Sequence, residues 1–332
     1  MATTRPIELY GVGNALVDKQ VKVTDVELEE LRLTRGGMQL TSADEQKAIL
    51  DTIGDRDAEL HAGGSAANTI VAFAQMGGRA AYACALGRDE FGEFYRRDFE
   101  RYGIRLDAAE KHLSPTGTCL ILITPDGERT MNTHLGASER LEATEIDSDA
   151  ISDAEWLYVE GYLLTGPDQR DAAFAALEAA RSAGTKVAFT FSDGFVVDSC
   201  GDDMRHIVRE YADLVFANER EAAVYTGERE PLHALSGIAR ECTLTCITLG
   251  EQGSIICQDG NIWEVPVEPA TPVDLTGAGD MFAAGFLFGL IRGLSPARCA
   301  KLGSEAARRI VQQMGARLTS GLPELAEGYV KR

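Results

Sequence analysis

Short apolar runs alternate with helical segments along the second half of the chain, and that alternation leaves few folds open. Trp156–Val159, Lys186–Phe191, Leu214–Ala217 and Leu244–Leu249 are brief runs of strand type. Between them lie helical stretches: the Ala-rich Pro167–Ala183, then Asp203–Glu210, Glu219–Tyr225 and His233–Glu241. Strands separated by helices of this kind build right-handed βαβ units, which assemble into a parallel sheet covered on both faces. The first half adds a strand at Ile7–Val12, helices at Ser42–Ile49 and Ala66–Met76, and a buried strand at Ala80–Leu86. Asp89 is placed to cap an amphipathic helix running towards Tyr102. Two helices, Asp280–Arg292 and Pro296–Met314, follow a hairpin turn at Asp259-Gly260. The expected fold is a three-layer α/β/α sandwich around a mainly parallel sheet.

Two segments break this rhythm. Residues 15–41 alternate polar and apolar side chains, as in Val21-Lys22-Val23, which predicts short half-exposed strands. Within 113–135, Thr118–Thr124 and Glu128–Thr133 flank Pro125-Asp126-Gly127, a strong hairpin signal. These two segments are expected to form a small β lid on a large domain made of 1–14, 42–112 and 136–332.

Charge and cysteine content narrow the function. The 332 residues carry a net charge of −20, which argues against nucleic acid as a partner. Any phosphate site must then be built locally, from helix N-termini, backbone amides, a few arginines and metal ions. The acidic excess would also suit a high-salt cytoplasm. The seven cysteines are scattered without a C-x-x-C, so they read as packing residues in a reducing compartment. The longest apolar run, Phe282–Ile291, has ten residues and cannot span a bilayer. The first residues carry no apolar signal core, and a cytoplasmic location is expected.

Four local patterns carry chemistry. The strongest is Asp274-Leu275-Thr276-Gly277-Ala278-Gly279-Asp280, leading into a helix. Gly277 and Gly279 permit a tight turn with free amides, and the helix start favours anions. Asp280 adds a carboxylate beside that anion site, the pairing that phosphoryl transfer to an alcohol needs. The same run also reads as a Gly-rich turn with an acidic helix start.

Gly63-Gly64-Ser65-Ala66-Ala67-Asn68 is either a hinge with Asn68 facing a ligand, or a loop with an N-cap at Ser65. Asn14 and Asp18 follow the first strand, where α/β sheets place their sites, and suit a polyol. Asn218-Glu219-Arg220-Glu221 either organises phosphate and magnesium through water or simply starts a solvated helix. Gly11-x-Gly13 lacks the third glycine and the following helix of a dinucleotide fingerprint.

Taken together, these segments resemble the ribokinase-like (PfkB) family of sugar and nucleoside kinases, most closely its adenosine-kinase-like branch. Further matches are Gly13-Asn14-Ala15-Leu16-Val17-Asp18, Gly87-Arg88-Asp89-Glu90-Phe91-Gly92 and Thr248-Leu249-Gly250-Glu251-Gln252-Gly253. The resemblance implies an ATP-dependent kinase that phosphorylates a hydroxyl, with a nucleoside or a sugar as acceptor. It implies Asp280 as general base and Gly277, Ala278 and Gly279 as the anion hole. Asn14, Asp18, Gly64 and Asn68 would hold acceptor hydroxyls, and Arg129 on the lid would steady the transferred phosphate. Asn218, Thr248, Gly250 and Gly253 would line the ATP site, with Gly303, Ser304 and Ala307 near the adenine. Glu221 would act on Mg2+ through water, and Asp274 and Thr276 would be candidate ligands for a monovalent cation such as K+.

Two positions depart from the family pattern: Leu275, where sugar kinases often carry Thr, and the 301–307 run, Lys-Leu-Gly-Ser-Glu-Ala-Ala, which looks more like the adenosine-kinase branch. A nucleoside needs an apolar slot for its base, and Leu16, Leu120, Met131 and Leu135 are candidates for it or for lid packing. The competing readings are a ribokinase- or fructokinase-type sugar kinase, a non-catalytic metabolite-binding protein on the same fold, and an oxidoreductase using Gly11-x-Gly13. The chain is expected to be a monomer or a homodimer paired through lid strands.

Overall fold

Nine strands form the central sheet in the computed structural model, which describes residues 5–54 and 56–331. In chain order the strands of the protein are β1 (Ile7–Val12), β2 (Leu16–Lys22), β3 (Met38–Leu40), β4 (Glu59–Gly63), β5 (Ala80–Gly87), β6 (Arg105–Lys111) and β7 (Gly117–Ile123). They continue with β8 (Arg129–His134), β9 (Ala154–Glu160), β10 (Lys186–Thr190), β11 (Leu214–Asn218), β12 (Leu244–Thr248), β13 (Ser254–Gln258) and β14 (Asn261–Val265). The large sheet runs β14-β13-β12-β11-β10-β9-β1-β5-β6. It is parallel from β12 to β6, with β13 and β14 added as an antiparallel hairpin.

Strand periodicity sorts the side chains between two cores. Along β1, Leu9 faces one layer, while Tyr10 and Val12 face the other. The Leu9 side packs under the helices Ser65–Gln75, Ala278–Ile291 and Pro296–Ile310. The opposite side packs under Pro167–Ala183, Gly201–Glu210 and Pro231–Ile238. This is the expected three-layer arrangement.

The small sheet runs β3-β8-β7-β2-β4. One face buries Val21, Leu120 and Leu122 against Leu28, Ile49 and Ile53, from the helices Asp25–Glu30 and Ala43–Ile53. Gln46, buried on the second of these helices, donates to the carbonyls of Thr118 (3.0 Å) and Asn132 (2.7 Å). The other face carries Cys119, Ile121 and Met131 and looks into a cleft.

The structure differs from the sequence reading in several places. Residues 25–30 form a helix with a Thr24–Glu27 capping box, where short strands were expected. β4 and the helix Ala43–Ile53 belong with the small sheet, whereas 42–112 was assigned to the large domain. β4 reads Glu-Leu-His-Ala-Gly, which has little β propensity and gains its place by pairing with β2. β6 and a last helix, Leu322–Val330, were not foreseen, and the helix from Pro296 stops at Ile310.

The oxidoreductase reading does not hold, because β1 passes directly into β2 with no helix between them. Gly11 and Gly13 are packing glycines: an added Cβ would meet Ile70 at 2.5 Å and Ala66 at 2.7 Å respectively. All seven cysteines are free, and Cys119 lines the cleft, so it is not purely a packing residue. Among the described residues no helix is long and apolar enough to cross a membrane.

Candidate active site

The reversal of strand order at β1 fixes where a cleft opens. The chain builds outward from β1 through β5 and β6 on one side, and from β9 on the other. Segments leaving β1 and β9 therefore diverge, and a crevice forms beyond their carboxyl ends. A cavity of about 380 Å3 lies there, between the end of the large sheet and the inner face of the small one. A second cavity of about 220 Å3 is lined by Thr248, Gly250, Gly253, Ser304 and Ala307. The two cavities share Leu275, Ala278 and Gly279. The Gly-rich turn thus stands between two ligand-sized spaces.

The conformation of this turn requires its first glycine. Gly277 is the N-cap of the helix Ala278–Ile291 and has φ 79°. A Cβ there would lie 2.7 Å from the Ala316 carbonyl oxygen, so both the backbone and the space demand Gly. A Cβ at Gly279 would meet nothing within 4 Å, because that face is open. The first N–H groups of a helix have no intrahelical acceptor, and here they border the cleft.

Asp280, in the first turn, lies half-buried beside them. Its Oδ1 accepts from Ser65 Oγ (2.7 Å) and its Oδ2 from Asn68 Nδ2 (3.0 Å). Burial raises its pKa to about 6, with the Ser65 and Asn68 hydrogen bonds and the Arg317 charge pulling the other way. Ser65 is therefore not the helix cap that one reading proposed. That position is Gly64, at φ 106°, and Ser65 turns its hydroxyl to Asp280.

The residues expected to hold the acceptor come together across the same cavity. Asn14, Asp18, Gly64 and Asn68 all line it. The Asp18 carboxylate accepts no hydrogen bond from the described residues. Burial lifts its pKa to about 6, opposed by the Arg129 and Arg317 charges. Leu16, Met131 and Leu135 line the cavity as anticipated, but Leu120 does not. Alternation on β7 turns Leu120 to the helix-covered face and brings Cys119 and Ile121 into the cleft instead.

Arg129 is buried beneath the turn and not free in the cleft. Its Nη1 pairs with Asp274 and lies 3.2 Å from Thr276 Oγ1, while its Nε and Nη2 have no partner. The two carboxylate oxygens of Asp274 also accept from the backbone N–H groups of Thr276 (2.9 Å) and Gly315 (2.7 Å). Arg129 already neutralises the Asp274 carboxylate, and N–H donors fill three of its roughly four acceptor sites. Asp274 and Thr276 therefore fit a monovalent cation poorly.

On the other side of the turn, Thr248, Gly250, Gly253, Ser304 and Ala307 share the second cavity, whereas Gly303 lines neither. Gly303 is a helix-crossing residue: a Cβ there would stand 2.6 Å from the Phe282 carbonyl oxygen. Asn218 caps its helix in a capping box with Glu221, and both line the first cavity. Burial raises the Glu221 pKa to about 7, and no cationic side chain pairs with it among the described residues. A buried carboxylate at the cleft with hydrogen-bond donors but no cationic partner suits a hard cation held through water. No group of three or more His, Cys, Asp or Glu that could by itself hold a metal ion exists among the described residues.

Sequence reasoning missed three contributors. Arg317 donates from Nε to Asn68 Oδ1 (2.9 Å), pairs with Asp98, and so braces the residue that holds Asp280. Glu160, at the end of β9, and Gln169 contact Asn14. Each bridges more than 140 positions of sequence, so no local pattern announces it.

Comparison with known proteins agrees with this fold. Residues 40–324 match the family described as pfkB family carbohydrate kinase. A fructokinase of Klebsiella pneumoniae is 31% identical over 82% of this chain and 91% of its own. Adenosine kinase 2 of Arabidopsis thaliana is 26% identical over 92% of this chain and 94% of its own. The crystal structure of adenosine kinase from Sinorhizobium meliloti superposes with a TM-score of 0.90, at 35% identity, over 97% of this chain and 99% of that one. On the match over residues 40–324, the chain belongs to the pfkB family of carbohydrate kinases.

Proposed function

We propose that this phosphotransferase moves the terminal phosphoryl group of ATP to the primary hydroxyl of a nucleoside, with adenosine as the reference acceptor. The observation that carries the reading is the two-faced character of the first cavity. Asp18, Asn14 and Asn68 form a polar end suited to ribose hydroxyls, while Leu16, Met38, Ile121, Met131 and Leu135 form an apolar wall under the lid. A free sugar has no use for that wall, whereas a base does. Burying about 100 Å² of base at ~25 cal/mol per Å² would favour a nucleoside by about 2.5 kcal/mol, or ~70-fold.

The chemistry follows from the side chains. The Asp280 carboxylate accepts the proton of the attacking hydroxyl as the O–P bond forms. Ser65 and Asn68 hold that carboxylate towards the cleft. The amides of Gly277, Ala278 and Gly279 and the helix start receive negative charge on the transferred group. Arg129, ion-paired with Asp274 and in contact with Thr276 Oγ1, would brace the turn from the lid. The second cavity takes the nucleotide, with Val267, Pro269 and Val311 providing apolar surface near Ser304 and Ala307. Glu221, oriented by Asn218, is placed to hold magnesium through water. When bound, magnesium would neutralise phosphate charge and assist departure of ADP. Closure of the small sheet over the cleft would exclude water and suppress ATP hydrolysis.

The 31% identity to a fructokinase favours a sugar acceptor as the second reading. A panel of adenosine, other nucleosides, ribose and fructose, each with ATP and magnesium, separates the two. The nucleoside reading expects kcat/KM for a nucleoside at least tenfold above any free sugar. Preference for ribose or fructose would overturn it, and no acceptor-dependent ADP would support the non-catalytic alternative.

A further inference from the structure

The strap that follows the helix Pro296–Ile310 passes beneath the Gly-rich turn, and four consecutive residues pin it there. Gly315 donates its backbone N–H to Asp274 Oδ2 (2.7 Å). Ala316 lies against Gly277, where a Cβ would stand 2.7 Å from the Ala316 carbonyl oxygen. The carbonyls of Arg317 and Leu318 accept from Gln313 Nε2 (2.9 Å) and Gln75 Nε2 (2.8 Å). Arg317 itself lines neither cavity. Its side chain, only 13% exposed, turns away from the cleft and enters between two helices.

Its Nε donates to Asn68 Oδ1 (2.9 Å), on the helix Ser65–Gln75. Its Nη1 pairs with Asp98, and the guanidinium lies 5.7 Å from the Phe99 ring centre, both residues being on the helix Glu90–Arg101. Its Nη2 is buried without a partner, a cost that packing alone gives no reason to keep. The consequence falls on Asn68. A carboxamide has an acceptor end and a donor end, and an arginine can only donate. The Asn68 oxygen must therefore face Arg317, which leaves its NH2 group for Asp280 Oδ2 (3.0 Å). A rotated amide would set oxygen against carboxylate and NH2 against guanidinium, and both bonds would be lost.

We propose that Arg317 is a positioning residue for the general base: it fixes the Asn68 amide so that the Asp280 carboxylate always meets a donor and stays aimed at the cleft. Arg317 acts through Asn68 and touches no substrate. This role rests on the reading of Asp280 as the base. Charge works in the same direction, since the Asn68 hydrogen bond and the Arg317 guanidinium both lower the Asp280 pKa against the effect of burial. The other ionisable groups facing Asp280 are Asp18 on β2 and Tyr158 and Glu160 on β9, none of them cationic. Loss of Arg317 should therefore raise the Asp280 pKa and favour its protonated, inactive form.

The test is the pH profile of acceptor kcat/KM for Arg317→Met and Arg317→Lys, with thermal unfolding of each. Methionine keeps the apolar stem. Lysine keeps the charge but loses the planar fork that bonds Asn68 and Asp98 together, and it serves if Arg317→Met folds poorly. The acid limb should move up by about one pH unit in Arg317→Met and by less in Arg317→Lys. Near about pH 6 the methionine variant should then lose about fivefold more than near about pH 8.5, with the ATP KM within about twofold of wild type. The Arg317 charge also acts on Asp18, so the substitution is repeated in an Asp280→Asn background. There Arg317→Met should change kcat/KM by less than about threefold. An unmoved acid limb, a loss equal at both pH values, or full additivity with Asp280→Asn would overturn the role. If Asp280→Asn alone turns over normally, the base reading fails and takes this one with it. If Asp280→Asn is slow while the Arg317 variants behave as wild type, only the positioning role fails.

Discussion

Replacing Asp280 by Asn should separate catalysis from stability. The substitution keeps size and shape but removes the only proton acceptor assigned to the turn. Loss of a general base lowers kcat by about 10²–10⁴, equivalent to ~3–5 kcal/mol. The fold should respond differently. The Asp280 pKa stands at about 6 in the folded chain against an ordinary value of 3.8. The charged form is therefore disfavoured by folding, and above pH 6 that penalty is about 3 kcal/mol. A neutral amide escapes it. Against this, Asn68 Nδ2 is a donor pinned in place because Arg317 holds Asn68 Oδ1, so the introduced amide must keep its oxygen there. Its NH2 group then faces Ser65 Oγ, whose hydroxyl proton loses its acceptor. Exchanging two charge-assisted hydrogen bonds for this weaker pair costs about 1–3 kcal/mol. The two effects nearly cancel, so the variant should melt within a few degrees of wild type or slightly above. An ADP-release assay with saturating acceptor and ATP, beside a thermal unfolding curve, measures both. A kcat within threefold of wild type would refute the base assignment. A large drop in Tm would refute the electrostatic reasoning.

Other consequences are equally direct. Arg129→Ala leaves the buried Asp274 carboxylate without its cation, and should lower unfolding stability by about 3–5 kcal/mol in a denaturant titration. It should also reduce kcat/KM by about 2–4 kcal/mol equivalent, and an unchanged value would remove Arg129 from the reaction. Asp280 must be ionised to accept a proton, so kcat/KM should be flat above about pH 8 and fall at least tenfold per unit below about pH 6, steepened because Asp18 near 6 and Glu160 and Glu221 near 7 also gain protons there. A kcat/KM that stays level to about pH 5 would contradict this. Ile121→Trp should fill the apolar slot, raising a nucleoside's KM about tenfold or more while sparing ribose turnover.

How much of this was legible in the sequence depended on the range of the interaction. The βαβ rhythm is written in local periodicity, and the strands it marks between Trp156 and Leu249 are those of the large sheet. The Gly277–Asp280 turn is equally local: two glycines, a helix start and a carboxylate adjoin in sequence, and the structure sets them between two cavities. β4 could not be read because its five residues lack strand propensity and are held by pairing with β2. Leu120 was open between the slot and lid packing, and one step of strand register, enough to move a side chain to the opposite face, decides for packing. Gly303 looked like a nucleotide contact but serves the crossing of two helices, a role fixed only by their packing. The Arg129–Asp274 pair, Arg317 on Asn68 and Glu160 on Asn14 are contacts between distant segments, and neither spacing nor propensity encodes them.

The proposed reaction delivers a primary alcohol to the Asp280 carboxylate, and the position of the new phosphate on the product reports this most directly. Adenosine turned over with ATP and analysed by proton-coupled phosphorus NMR should give a monophosphate signal split into a triplet by the two protons of a CH2–O–P group. A doublet, from phosphate on a secondary hydroxyl, or free inorganic phosphate as the sole product, would contradict it.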